Sequence, residues 1–232
     1  MSYVLPPPAI PSVAVHGRAG ARFAVRRIYC VGRNYVEHAQ EMGFTGREPP
    51  FFFMKPADAL LAVGEGEVGA MHYPSLTHDL QHEVELVVAI GIGGRDIAAQ
   101  DALSHVFGYA VGLDMTRRDL QGEAKKQGRP WCIGKAFEES APIGTLRPAA
   151  ECRLDADTEI RLDVNGATRQ RSTLGKLIWS VPEVIEHVSE AWTLAAGDLI
   201  YTGTPAGVAA VVAGDMLHAV VAGVGSLHLE IV

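Results

Sequence analysis

Cysteine is scarce in this 232-residue chain, which has three cysteines and no Cys-x-x-Cys pair. The sequence therefore indicates neither a disulfide framework nor a zinc knuckle, and reduced thiols are typical of a cytoplasmic protein. The chain also lacks an apolar run long enough to cross a membrane, and its N-terminus has no basic region followed by an apolar stretch. We expect a cytoplasmic protein that neither spans a membrane nor is exported.

Clusters of basic residues are also missing, apart from short pairs such as Arg26-Arg27, and the formal net charge is −7. Both features argue against nucleic acid as the main partner. The length predicts one large domain with a substantial core. Residues 1–20 are rich in proline, alanine and glycine. They predict an extended N-terminal arm, lying on the body or on a partner subunit, ahead of a single domain over residues 21–232.

What the chain does contain is an apolar, largely β-branched run from Leu86 to Ile90, which predicts a buried strand. Glu83 and Glu85 lie at its start, and side chains two apart on a strand share one face, with Cα atoms roughly 6.5 Å apart. Two like charges beside an apolar interior need compensation. Oxygen ligands suit a hard divalent cation such as Mg²⁺, Mn²⁺ or Ca²⁺. The alternative is a solvated strand entrance with two charged residues.

A second predicted strand, residues 106–113, also ends at a carboxylate, that of Asp114. A loose capping box then predicts a helix that runs from Thr116 to about residue 127. Arg118 and Gln121 are three residues apart, so they share one face of that helix, immediately after Asp114.

Two lysines and a glycine-framed loop offer groups for binding an anion. Lys55 ends the apolar strand 51–54, and Lys135 lies in an apolar segment broken by glycine. Either lysine could meet a substrate oxyanion or extend to solvent. The loop 203–208 could present backbone N–H groups and the Thr204 hydroxyl to an anion, or could be a plain turn.

His38 and Glu41 are three residues apart in a short helix that Asn34 can cap and Gly43 can end. A carboxylate beside an imidazole orients the ring and raises its basicity, as a general base requires. The alternative is an exposed polar helix in which the two residues are neighbours by chance.

The second half of the chain is predicted to be mostly β-structure. Asn165-Gly166 lies between two alternating segments, which is a strong hairpin signal. Residues 177–192 have helical spacing, with Pro182 suited to the first turn. Short strands are predicted from residue 215 to the C-terminus.

Six motifs, in this order, make the chain similar to the fumarylacetoacetate hydrolase family from about residue 25 to the C-terminus. They are Gly32-Arg33-Asn34-Tyr35, Phe53-Met54-Lys55-Pro56, Glu83-Val84-Glu85-Leu86, residues 108–116, Gly134-Lys135-Ala136-Phe137 and Tyr201-Thr202-Gly203-Thr204-Pro205. Within that family, the N-terminal arm and residues 112–121 most resemble the bacterial fumarylpyruvate hydrolases of gentisate breakdown.

The resemblance implies a β-rich α+β fold, a mixed β-roll or sandwich with short flanking helices, usually in a homodimer. It implies one divalent cation, Mg²⁺ or Mn²⁺, and a lid segment over about residues 33–48. The implied metal ligands are Glu83, Glu85 and Asp114. The implied catalytic residues are His38 and Glu41, which activate water, and Lys135 and Gln121, which stabilise an oxyanion. The implied substrate contacts are Arg118, Lys55, Thr204, Arg33 and Tyr35.

The implied activity is metal-dependent hydrolysis of the carbon–carbon bond of a 3-acylpyruvate, such as fumarylpyruvate, to fumarate and pyruvate. Relatives with similar motifs decarboxylate oxaloacetate, or isomerise and decarboxylate hydroxy-dienedioates, and these activities are the nearest alternatives. A more distant alternative is a non-catalytic binding module whose carboxylates hold a stabilising ion.

Overall fold

The computed structural model describes residues 3–36 and 47–232. Its strands, in chain order, are β1 (Ser12–Ala14), β2 (Arg22–Ala24), β3 (Arg27–Gly32), β4 (Phe51–Lys55), β5 (Leu60–Ala62), β6 (Val68–Met71), β7 (Leu80–Gln81), β8 (Val84–Ile90), β9 (Val106–Leu113), β10 (Thr116–Arg117), β11 (Ala141–Ile143), β12 (Arg147–Pro148), β13 (Glu159–Val164), β14 (Ala167–Thr173), β15 (Asp198–Tyr201), β16 (Ala210–Val211), β17 (Met216–Val221) and β18 (Gly225–Ile231). The α-helices given in this part of the chain are α1 (Arg118–Lys126), α2 (Cys132–Lys135) and α3 (Val181–Ala191), and short 3-10 turns lie at Ala57–Ala59, Ala102–His105, Ala149–Glu151 and Leu174–Lys176. Within the described ranges, no helix has both the length and the apolar character needed to cross a bilayer.

The centre of the fold is a mixed eight-stranded sheet in the order β4-β3-β15-β8-β9-β11-β5, with β12 paired to β9. Every residue of β8 is buried. Leu86 and Val88 pack into one hydrophobic cluster, whereas Val87 and Ala89 pack into another. Because both faces of β8 are covered, its sequence is continuously apolar. The predicted buried strand is confirmed.

A second, five-stranded sheet in the order β14-β13-β17-β18-β6 covers the first of these clusters. The predicted hairpin joins β13 to β14 through Asn165 and Gly166, whose φ angles are 52° and 77°. Two consecutive positive φ angles are typical of the type I′ turn that suits twisted hairpins. The expected fold class, a β-rich mixed β-roll with short flanking helices, is confirmed.

Three short strands, β5, β6 and β7, lie between residues 60 and 81. β5 runs parallel to β11, β6 runs parallel to β18, and β7 pairs with β10. The strand partners are distant in sequence, so local glycine and proline content did not indicate them. The predicted helix begins at Arg118 rather than Thr116, because Thr116 and Arg117 form β10.

The N-terminal segment is exposed over residues 3–10 and then joins the body. β1 and β2 form a hairpin in which Val13 is buried in the second hydrophobic cluster. Val15 forms a bridge with Leu146. These contacts place the hairpin on the body of its own chain.

Candidate active site

Three buried carboxylates meet where β8 and β9 lie side by side. Glu83 directly precedes β8, Glu85 is its second residue, and Asp114 directly follows β9. The strands are antiparallel, with Glu85 opposite Gly112, so the start of β8 lies beside the end of β9. One oxygen from each side chain lies within 4.8 Å of the other two. The structure therefore brings together the three metal ligands that the resemblance implies.

Three cationic side chains surround two of these carboxylates. Lys135 Nζ lies 2.8 Å from Glu83 Oε2 and 2.7 Å from Asp114 Oδ2. Lys55 Nζ lies 2.8 Å from Asp114 Oδ1, and the Arg118 guanidinium pairs with Glu83. Part of the positive charge that the neighbouring glutamates require therefore comes from side chains of the protein itself.

Glu85 is different, because no cationic side chain in residues 3–36 and 47–232 lies at ion-pair distance from it. Its Oε2 accepts a hydrogen bond of 2.8 Å from the Gly203 N–H. Burial, with the negative charges of Asp114 and Glu83, raises the pKa of Glu85 well above its usual value. A buried carboxylate of this kind, grouped with two others, offers the all-oxygen ligand set that a hard divalent cation prefers.

Lys135 is held in its charged form. Burial lowers its pKa, but the charges of Asp114 and Glu83 outweigh burial, so the net pKa is raised. Lys135 therefore remains an ammonium group, suited to stabilising an anion and not to accepting a proton.

A pocket opens onto Glu83 and Glu85, and five of the predicted catalytic or substrate-binding residues line it. These are Arg33, Arg118, Gln121, Lys135 and Thr204.

Arg118 fixes the orientation of Gln121 in this pocket. Its Nη1 donates a hydrogen bond of 2.6 Å to Gln121 Oε1, and its Nε donates one of 2.7 Å to Gln81 Oε1. Arginine only donates, so the Gln121 carbonyl oxygen must be the atom that faces it. The NH₂ group of Gln121 is then the part of the side chain suited to stabilising an oxyanion.

Two predicted substrate contacts lie away from the pocket lining. Lys55 is buried, and besides Asp114 its Nζ donates to the Met115 carbonyl, at 3.1 Å, and to the Lys135 carbonyl. Tyr35 is buried in the larger hydrophobic cluster and forms a bridge with Leu177. Lys55 is thus positioned to hold Asp114, and Tyr35 to pack the core.

His38 and Glu41, the predicted water-activating pair, lie outside the described residues, as does most of the predicted lid. Just before them, the buried Asn34 side chain donates to the carbonyls of Trp179, at 2.9 Å, and Thr202, at 2.8 Å. It also accepts from the Trp179 N–H at 2.7 Å. Asn34 therefore ties the chain leading to His38 to the end of β15.

Three aromatic side chains also line the pocket, those of Phe51, Phe53 and Trp131. They were not among the site residues predicted from the sequence. The Phe51 and Trp131 rings meet edge to face, with centroids 5.3 Å apart. Arg33, at a φ of 57°, places its guanidinium 5.1 Å from the Phe51 ring centroid. The available signal was the period of two in β4, which puts Phe51, Phe53 and Lys55 on one face.

The close approach of α1 and α2 depends on Gly134. A Cβ at Gly134 would lie 2.8 Å from the Gln121 N and Cβ atoms. We expect Gly134→Ala to lower the free energy of unfolding by about 1–3 kcal/mol through overpacking, and to reduce activity by displacing Gln121 and Lys135. Urea denaturation and steady-state kinetics measure both effects.

Gly122→Ala, in the middle of α1, is the matched control. A Cβ there would have nothing within 4 Å, so this substitution should stabilise the protein by about 0.5–1 kcal/mol. Equal effects of the two substitutions would contradict the packing role of Gly134.

The fold and the site together define a β-rich protein with a buried, all-carboxylate cluster at the base of a cation-lined pocket. Residues 27–232 match the family described as fumarylacetoacetate (FAA) hydrolase C-terminal. The chain belongs to this family of enzymes.

Individual relatives differ in their activities. One similar solved structure is the crystal structure of fumarylpyruvate hydrolase from Pseudomonas aeruginosa in complex with Mn²⁺ and pyruvate. Its sequence is 50% identical to this one, the TM-score is 0.97, and the match covers 100% of this chain and 99% of that chain. Mitochondrial oxaloacetate tautomerase fahd-1 of Caenorhabditis elegans is 39% identical over 86% of this chain and 92% of its own length. Mitochondrial oxaloacetate decarboxylase of Dictyostelium discoideum is 38% identical over 85% of this chain and 89% of its own length.

Proposed function

We propose that this protein hydrolyses the carbon–carbon bond of a 3-acylpyruvate, with fumarylpyruvate, which gives fumarate and pyruvate, as the preferred substrate. The observation that carries the proposal is the cluster of Glu83, Glu85 and Asp114, in which Glu85 has no cationic partner among the described residues. A divalent cation, Mg²⁺ or Mn²⁺, would complete this cluster. Similarity over the whole chain to a fumarylpyruvate hydrolase solved with Mn²⁺ and pyruvate supports the proposal.

The charge of the site favours a substrate with two carboxylates. The formal charges of the three carboxylates and the three surrounding cations, Lys55, Lys135 and Arg118, cancel. A bound divalent cation then leaves an excess of positive charge in a buried pocket, which is costly unless an anion pairs with it. A dicarboxylate such as fumarylpyruvate restores the balance.

Each residue then has a role in the reaction. Glu83, Glu85 and Asp114 would hold the cation, which would supply Lewis-acid stabilisation of the negative charge that develops on the leaving group. The leaving group becomes pyruvate when its carbon takes up a proton. His38, oriented by Glu41, removes a proton from water so that it attacks the ketone carbonyl. The Lys135 ammonium and the Gln121 NH₂ group stabilise the resulting oxyanion. Arg118, Arg33 and Thr204 hold the substrate.

Oxaloacetate is the second candidate substrate, because two of the relatives act on it by tautomerisation or decarboxylation. These reactions do not require an activated water, so the two candidates differ in their need for His38. The implied homodimer and cytoplasmic location remain predictions.

A panel assay of Mn²⁺-loaded protein tests the proposal. We expect pyruvate release from fumarylpyruvate with a kcat/KM roughly tenfold or more above the value for acetylpyruvate, whose single carboxylate leaves excess positive charge in the pocket unpaired. Maleylpyruvate and oxaloacetate also carry two carboxylates, so their rates decide the preference among dicarboxylates, and we expect fumarylpyruvate to be preferred. Removal of the metal with EDTA should abolish turnover.

Preferred turnover of oxaloacetate would instead support the second candidate. No turnover of any panel member, with EDTA lowering only the melting temperature, would identify a non-catalytic metal-stabilised module.

A further inference from the structure

Gln170 lies outside the pocket lining and links two segments of the site, residues 82–84 and residues 204–205. It lies in β14, is fully buried, and its side-chain amide lies between these two segments. The loop that follows Thr204 packs tightly on this strand, since a Cβ at Gly207 would lie 2.1 Å from the Arg169 carbonyl oxygen. The position of the amide is therefore set by the backbone on both sides.

Two backbone groups determine which way the Gln170 amide points. Its Oε1 lies 3.1 Å from the Val84 N–H, which can only donate, and its Nε2 lies 2.8 Å from the Pro205 carbonyl, which can only accept. If the amide were flipped, its NH₂ group would face the Val84 N–H, another donor, and its oxygen would face the Pro205 carbonyl, another acceptor. The orientation thus follows from groups whose roles are unambiguous.

This orientation dictates the direction of two further hydrogen bonds. His82 Nδ1 lies 2.9 Å from Oε1, an acceptor, so Nδ1 must carry a hydrogen. Thr204 Oγ1 lies 2.8 Å from Nε2, a donor, so the Thr204 oxygen accepts this bond. The Thr204 hydrogen must then point away from Gln170, and Thr204 lines the pocket.

We propose that Gln170 is a positioning residue that makes the Thr204 hydroxyl a hydrogen-bond donor to the anionic substrate. The same amide joins the segment that carries Glu83 and Glu85 to the loop whose Gly203 N–H binds Glu85. The contact between Thr204 and substrate rests on the proposed function. The orientation of the amide does not.

A double-mutant cycle on Mn²⁺-loaded protein, with pyruvate as the probe in isothermal titration calorimetry, tests this role. Gln170→Glu keeps the shape of the side chain, and we expect the buried carboxyl to stay protonated, with its hydrogen donated to the Pro205 carbonyl. The same oxygen can then only accept from Thr204, so the Thr204 hydrogen turns toward residue 170 and away from the pocket. We expect pyruvate affinity to fall roughly 10- to 100-fold, as for loss of one hydrogen bond to a charged group. Thr204→Val should cause a similar loss, and Thr204→Ser, which keeps the hydroxyl, should retain affinity.

Non-additivity separates positioning from a purely structural role. In the Thr204→Val background, Gln170→Glu should change pyruvate affinity by less than about twofold. Mn²⁺ affinity should change little throughout, and the surface control Gln100→Glu should have no effect. Additive losses, a parallel loss of Mn²⁺ affinity, or unchanged pyruvate affinity in Gln170→Glu would each overturn the proposal.

A measurement on the unaltered protein keeps the proposal testable if Gln170→Glu does not fold. Nitrogen-15 NMR of the metal-free protein should show His82 with its hydrogen on Nδ1, whereas a hydrogen on Nε2 alone would require the opposite amide orientation and overturn the proposal. Failure of the proposed function would appear separately, as absence of turnover in the wild-type panel assay. Pyruvate binding can still be measured in that case.

Discussion

Glu85→Gln is expected to abolish metal-dependent turnover while leaving the metal-free protein at least as stable as wild type. The substitution removes the one carboxylate of the cluster that has no cationic partner among the described residues, so a cation loses a charged ligand. We expect kcat/KM to fall about a thousandfold and Mn²⁺ affinity to fall about a hundredfold. Activity assays and calorimetric titration with Mn²⁺ measure these losses.

The expected stability of the metal-free Glu85→Gln protein follows from the loss of repulsion between the carboxylates of the site. Glutamine keeps the shape of Glu85 and an oxygen for the Gly203 N–H bond, but it does not repel Asp114 or Glu83. The melting temperature without metal should therefore be unchanged or higher, since replacing an unpaired buried charge is neutral or stabilising. Glu151→Gln, the same change on the surface, should alter neither property. A Glu85→Gln protein with wild-type Mn²⁺ affinity would remove this residue from the metal site.

His38→Ala is expected to separate hydrolysis from decarboxylation. Loss of the general base should lower the rate of acylpyruvate hydrolysis about 10²- to 10⁴-fold. Decarboxylation of oxaloacetate needs no activated water, so its rate should stay within a few-fold of the wild-type rate. Pyruvate release from fumarylpyruvate and from oxaloacetate, measured side by side, tests this difference.

His78→Ala is the control for this experiment, because His78 is exposed and shows no side-chain hydrogen bond in the described residues. It should leave both activities intact. Hydrolysis at the wild-type rate in His38→Ala would defeat the assignment of His38 as the base, and an equal loss of both activities would point to a structural role.

Features set by neighbouring residues were predictable from the sequence. The buried strand at Leu86–Ile90, the Asn165-Gly166 hairpin and the helix that begins near Pro182 all appear where the pattern placed them. Each depends on a local preference: apolar residues on both faces of a strand, positive φ angles in a two-residue turn, or the fixed φ of proline. The pairing of Glu83 with Glu85 was equally local, since it follows from the period of a strand.

The antiparallel pairing of β8 with β9 decided that Asp114 lies beside those glutamates. Tertiary contacts also decided which cationic side chain pairs with which carboxylate. They placed Lys55 at ion-pair distance from Asp114, and they placed Tyr35 in the core. Gln170 gave no sequence signal, because its role exists only where β14 meets the segments at residues 82–84 and 204–205. Hydrogen bonds and ion pairs act over a few ångströms in space, so distance along the chain did not predict them.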